Sequence, residues 1–143
     1  MANAPFRNQP LLTPEELAAR LGEFYAAVDQ FNRGYYFESH ETLEDLWMVT
    51  PWPERQFFQG IIQLAAAFVH FVRGEYPGTI KLLDAAMEKL REFAPALFGV
   101  DVARLVAESE RSRDALAALG EGGFRGWDEA GVPVIRLQDA APA

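Results

Sequence analysis

The 143-residue chain contains no cysteine. Disulfides, thiolate metal ligands and a cysteine nucleophile are therefore excluded, and the absence fits a reducing compartment. Basic residues are few: 13 Lys and Arg stand against 21 Asp and Glu, for a net charge of −8. They are scattered beside acids, as Lys81, Lys89 and Arg91 are beside Asp84, Glu88 and Glu92. A domain that grips a phosphate backbone carries a basic patch or stripe, and anionic lipid attracts basic segments. Neither nucleic acid nor a membrane is expected as a partner. Long apolar runs are also missing. The longest, Ile61 to Val72, is broken by Gln63 and His70 and falls short of the roughly 20 residues that span a bilayer. Met1 to Pro10 has no apolar signal core and one basic residue, Arg7, so no secretory signal is expected and the cytoplasm is the expected location.

What is present is apolar content at 50% of residues, enough for one domain with its own core. The periodicity predicts an all-α protein: a compact bundle of about five helices built from antiparallel hairpins. A mobile arm is expected over residues 1–12, the bundle over 13–119 and a glycine-rich extended tail over 120–143. Helix one opens with Thr13 as N-cap, Pro14 at the first helical position and Glu16 completing a capping box. Leu17, Leu21, Phe24, Val28 and Phe31 keep helical spacing, and Gly34 supplies the stop. Helix two spans about Tyr35 to Val49 and ends before Thr50-Pro51-Trp52-Pro53, because proline cannot continue a helix. Helix three, about Pro53 to Arg73, is apolar on most sides, as a central helix would be. Helix four opens near Pro77, and Pro95 and Gly99 end that stretch. Helix five spans about Asp101 to Leu119. The tail should lie extended on the bundle, with Trp127 and Ile135 as anchors and room for one short strand.

A weak repeat is visible. Phe31-Asn-Arg-Gly34-Tyr35-Tyr36 resembles Phe71-Val-Arg-Gly74-Glu75-Tyr76 at an offset of 40 residues, glycine to glycine. Each block sits at the turn of a helical hairpin, in the manner of tetratricopeptide-like pairs. Two units are fewer than an array needs, so a compact bundle is expected rather than a solenoid.

Helix two carries the polar residues of most interest. At about 100° per residue, Tyr36, Phe37, Leu43, Trp47 and Met48 gather on one side and Glu38, Thr42 and Asp45 on the other. His40 and Glu44 fall within the apolar sector, with Glu41 at its edge. Four residues apart, His40 and Glu44 are neighbours on one face, and a buried carboxylate needs a partner. They could pair with each other, ligate a divalent metal as adjacent nitrogen and oxygen donors, or line a pocket for a polar ligand. On helix three, Gln59, Gln63 and His70 share a stripe with Arg55, Ala66 and Arg73. Turned toward helix two, it would bring Gln63 and His70 to His40 and Glu44; turned outward, it is a solvated face. The zincin peptidase arrangement fails because position 44 is Glu rather than His. No serine elbow or phosphate-binding glycine loop is present.

The blocks Phe31-Asn-x-Gly-x-Tyr-Phe-Glu-x-His40-Glu41-x-Leu-Glu44-x-x-Trp47 and Phe58-Gln59-Gly60-Ile-Ile-Gln63-Leu-Ala-Ala, with Arg73-Gly74, resemble the bacterial and archaeal family called domain of unknown function 309, over about residues 24 to 94. The resemblance implies an all-helical fold and a suspected metal-binding motif landing on His40, Glu44 and Trp47, with Gln59 and Gln63 matching the second block. It implies no substrate and no reaction. The expectation is a binding module with His40 and Glu44 on a divalent metal or polar ligand. Glu41, Gln59, Gln63 and His70 would complete the pocket, and Trp47 would wall it. Two alternatives stand beside it. One is a metal-dependent hydrolase with Glu41 or Glu44 as base on a metal-bound water. The other is an interaction module that binds a partner helix or forms a homo-oligomer.

Overall fold

The computed structural model describes residues 10–138; residues 1–9 of the expected arm and 139–143 of the expected tail lie outside the described residues. Five α-helices account for most of them: α1 (Pro14–Asn32), α2 (Tyr36–Val49), α3 (Glu54–Val72), α4 (Tyr76–Leu90) and α5 (Val102–Gly123). The fold is all-α, as the periodicity predicts. No described helix is long and apolar enough to cross a membrane.

Each helix begins and ends for reasons readable in its chain. The α1 capping box is formed: the Thr13 hydroxyl accepts from Glu16 N at 3.1 Å and the Glu16 carboxylate accepts from Thr13 N at 2.8 Å. The Asp101 carboxylate accepts from Arg104 N at 3.0 Å and starts α5. The α1–α2 and α3–α4 turns have the same backbone. Gly34 and Gly74 sit at φ +88° and +77°. Tyr35 N bonds Gln30 O and Glu75 N bonds His70 O, at 2.8 and 2.9 Å. This is the glycine-terminated helix end in which the second residue past the cap reaches back one turn. The repeat extends into the following helices: Tyr36 matches Tyr76, and buried Ser39 matches buried Thr79.

Consecutive helices pack on one another, with α3 between α2 and α4. α3 buries Phe57, Phe58, Ile61, Leu64, Ala65, Ala67, Phe68 and Phe71. Gly60 lets α4 approach closely, since a Cβ there would lie 2.9 Å from Leu90 Cδ2. The α3 rings touch Phe24 and Phe31 of α1, and Phe124 and Trp127 of the tail.

Between α4 and α5 the chain forms a hairpin that helical periodicity does not foresee. β1 (Ala96–Leu97) pairs antiparallel with β2 (Val100–Asp101). The two-residue turn, Phe98-Gly99, has both φ positive, +50° and +79°, as the tightest hairpin turn requires. Positive φ is unfavourable for phenylalanine; here the ring stacks on Phe58 at 5.6 Å and the carbonyl accepts from Tyr25 Oη at 2.9 Å.

α5 departs from helical geometry at Gly120 (φ +71°), where the sequence places its stop, and resumes for a turn to Gly123. The tail then makes short 3-10 turns at Phe124–Gly126 and Glu129–Gly131 and runs extended. Leu137 bridges Val100 antiparallel. Ile135 is buried, and the Asn32 amide clamps its backbone from both sides, donating to Ile135 O at 2.8 Å and accepting from Ile135 N at 2.9 Å. Glu108 of α5 makes the second clasp: it accepts from Val134 N at 3.0 Å and from the Arg136 guanidinium at 2.6 Å.

Asn32→Ala should detach the segment around Ile135 and lower stability by about 1–2 kcal/mol, seen as faster amide exchange at Ile135 and an earlier urea midpoint. Burial pushes the Glu108 carboxyl upward, but the Val134 N–H and the Arg104 and Arg136 guanidiniums outweigh it and hold the group below its ordinary range. A depressed carboxyl stabilises the fold above its unfolded-state value of about 4.3, and that contribution is lost as pH falls through the lower folded value. Glu108→Gln should therefore cost about 1–3 kcal/mol at neutral pH and flatten the acid limb of stability against pH.

Candidate functional site

The buried stripe of α2 is Tyr36, Ser39, Leu43, Leu46 and Val49. His40, Glu44 and Trp47 follow one residue behind it, on the flank beside α3, and all three are partly exposed. Glu44 is thus less enclosed than its position on the helical wheel suggests: its side chain is 45% exposed against 27% for His40. The wheel gives an angle, but not where the neighbouring helix stops covering it. Buried Ser39, which donates to Ala27 O at 2.7 Å, belongs to the core face that the wheel reading missed.

His40 Nε2 lies 3.3 Å from Glu44 Oε2. The stripe on α3 is half-buried at Arg55, Gln59, Gln63, Ala66 and His70, and exposed at Arg73. It flanks α2 and is neither wholly core nor wholly solvated. His40 and His70 come to the same shallow cleft of about 160 Å³, with Phe37, Val69 and Arg73. His70 has its own carboxylate, however: Nδ1 is 2.6 Å from Glu75 Oε1, a partner from the α3–α4 turn that helical spacing cannot reveal. Gly78 makes room for this, since a Cβ at position 78 would lie 2.6 Å from His70 Nδ1.

Trp47 is covered by Arg55, whose guanidinium carbon sits 4.4 Å from the ring centroid. The same guanidinium donates to Met48 O at 3.3 Å, a favourable place for a cation at the end of α2. Glu41 is exposed, and Gln59 is half-buried. Among the described residues no three His, Cys, Asp or Glu side chains gather as a metal-binding set. His40 and Glu44 supply two adjacent donors and no third joins them.

Three polar atoms on α2 and α3 lack a partner. His40 Nδ1, Trp47 Nε1 and Gln63 Oε1 are buried without a hydrogen-bond partner. Buried polar atoms are ordinarily satisfied, and leaving one unmade costs about 1–3 kcal/mol. If Nε2 holds its proton toward Glu44, neutral His40 presents Nδ1 as an acceptor. The unpartnered set on α2 and α3 is then one donor, the indole N–H, and two acceptors.

Residues 24–82, covering the second half of α1, all of α2 and α3 and the start of α4, match the family described as domain of unknown function (DUF309). A relative from Bacillus subtilis (strain 168), the "uncharacterized protein YpuF", is 33% identical over 96 residues, 65% of this chain. The chain spans about half the relative's length, 52%. No solved structure matches the chain. The matched span holds His40, Glu44, Trp47, Gln59, Gln63 and His70; α5 and the tail lie beyond it.

Gly78→Ala should push the His70 ring off Glu75. In an ¹H–¹⁵N spectrum of the histidine rings, His70 should shift strongly while His40 keeps its Glu44-paired signature.

Proposed function

We propose that this chain is a binding module whose site is the groove between α2 and α3, and that it takes a small polar molecule through His40, Trp47 and Gln63. The observation that carries this reading is the set of three unpartnered buried atoms on these two helices. Their character selects the ligand. The indole N–H needs an acceptor, such as a carbonyl or carboxylate oxygen. The Gln63 oxygen and the His40 nitrogen need N–H or O–H donors. An amide, amino acid or hydroxy acid carries both within a few ångströms. Arg73, at the rim of the cleft, favours a ligand with negative charge.

A second reading is favoured by the 3.3 Å separation of His40 Nε2 and Glu44 Oε2. A nitrogen and an oxygen side by side, with Glu44 open to solvent, suit two positions on a divalent cation. Water or the polar ligand would fill the rest. Bound there, the cation would supply Lewis acidity; the chain's own part is to orient the two donors and to keep Gln63 and Trp47 beside them.

The test replaces His40 with Leu and Glu44 with Met together. An ion pair this exposed contributes about 0–1 kcal/mol, and the substitution removes the unpartnered His40 nitrogen, so the variant should fold and be at least as stable as the wild type. Thermal-shift screening of both proteins against amides, amino acids and hydroxy acids should find compounds that raise the Tm of the wild type alone. A double variant that keeps every such shift overturns the reading. Elemental analysis of untagged protein purified without chelator, beside His40→Ala, decides the cation: near-stoichiometric metal lost in the variant supports it, and metal in neither protein after soaking with divalent ions removes it.

A further inference from the structure

A second cleft, of about 350 Å³, lies between α5 and the tail. It lies outside the groove discussed above. Its lining includes Glu108, Arg111, Ser112, Trp127 and Arg136, with the backbone around residues 130–134. Its volume lies in the range of small-molecule sites.

The charges around it are out of balance. Glu108 is 13% exposed and accepts from Arg104 Nε at 3.2 Å, from Arg136 at 2.6 Å and from Val134 N at 3.0 Å. Arg111 stands 4.0 Å from the same carboxylate oxygen. One carboxylate thus faces three guanidiniums, and two of them, Arg111 and Arg136, line the cleft. Among the described residues none of the three has another carboxylate partner, and the Arg111 guanidinium makes no hydrogen bond. Arg136 alone would suffice to clasp the tail to Glu108; Arg111 adds nothing to that clasp.

The walls are of two kinds. Arg111 and Arg136 supply charged donors. The part of the Trp127 indole not covered by Phe68 and Phe71 lines the same space. Guanidiniums recognise carboxylate and phosphate oxygens in forked pairs, and an indole offers a flat apolar surface. With its oxygens already engaged, Glu108 holds Arg136 in place at the cleft and leaves the Arg111 guanidinium free for an incoming anion. We propose that this cleft binds a small organic anion: a carboxylate or phosphate head held by Arg111 and Arg136, with an apolar body laid against Trp127.

The test titrates the full chain, uniformly ¹⁵N-labelled, with phenyl phosphate, benzoate, inorganic phosphate and benzyl alcohol. Phenyl phosphate or benzoate should shift the amides of residues 108–115 and 130–136 saturably, and the tighter of the two names the head group. Inorganic phosphate and benzyl alcohol should each bind at least about tenfold more weakly, because each lacks one half of the ligand. Arg111→Gln should weaken the aryl anion by about tenfold, the scale of one charge-assisted contact. Arg111 is 72% exposed, so the variant should keep the wild-type circular dichroism and Tm. Unsaturable shifts scattered over the surface, or equal affinity in Arg111→Gln, would overturn the proposal. Benzyl alcohol binding as tightly as phenyl phosphate removes the anion requirement, and phosphate binding as tightly removes the apolar one; either result refutes the site as stated.

Discussion

Everything in this molecule is arranged around the width of the apolar surface on α3. Half of that helix is buried, and each phenylalanine side chain removed from water contributes roughly 1.5–3 kcal/mol. Phe57, Phe58, Phe68 and Phe71 project far enough to need covers from different parts of the chain. α1 supplies Phe24 and Phe31, the hairpin supplies Phe98, and the tail supplies Phe124 and Trp127. Tilted and edge-to-face ring pairs add about 0.5–1.5 kcal/mol each beyond burial, so the covers are directional as well as greasy. Gly60 on α3 and Gly78 on α4 let the two helices approach closely. What remains only half covered is the flank carrying Gln59, Gln63, Ala66 and His70, and the shallow cleft at His40, Ala66 and His70 lies where the covers stop.

The charges follow the same logic. An acidic chain has few cations to place, and most of them here have structural employment: Arg55 closes the end of α2 over Trp47, Arg113 joins α5 to Asp84 of α4, and Arg91 reaches Glu110. Exposed pairs of this kind are worth little individually. Glu108 differs because it is largely enclosed and ties together α5 and the extended tail. The tail buries Phe124, Pro133 and Ile135 and packs Trp127 and Val132 on the core, and directed hydrogen bonds from Asn32 and Glu108 fix its path.

The helices were legible because their signals are local. A capping box, a glycine stop and a 3.6-residue period each lie within a few positions, and Thr13, Gly34, Gly74 and Asp101 act as their types predict. The hairpin at Ala96–Asp101 was not legible. It has four paired residues, and its turn depends on Phe98 accepting a positive φ for the sake of a ring stack with Phe58, about 40 residues away. The Asn32 clamp was not legible either, since its partner is 103 positions downstream. In the candidate site the pattern fixed the His40–Glu44 adjacency, which is intrahelical. It could not give the exposure of Glu44, the capture of His70 by Glu75, or the covering of Trp47 by Arg55, because each depends on where a second element ends.

The internal repeat bears on whether the polar groove is a requirement of the fold. With an offset of 40, His40 corresponds to Ile80, Trp47 to Met87 and Leu43 to Leu83. Both hairpins share the same turn backbone and the same buried hydroxyl, Ser39 or Thr79. The second hairpin therefore forms with an aliphatic side chain where the first has an imidazole. Hairpin geometry does not call for a histidine at that place. Nor does stability favour it: an apolar residue there would remove one unpartnered buried nitrogen and its cost of about 1–3 kcal/mol. Trp47 Nε1 and Gln63 Oε1 are likewise buried without a protein partner on the same pair of helices. A bound molecule that satisfies them would recover that free energy on association, which is how a groove with mismatched polar atoms becomes selective for a ligand with the complementary pattern.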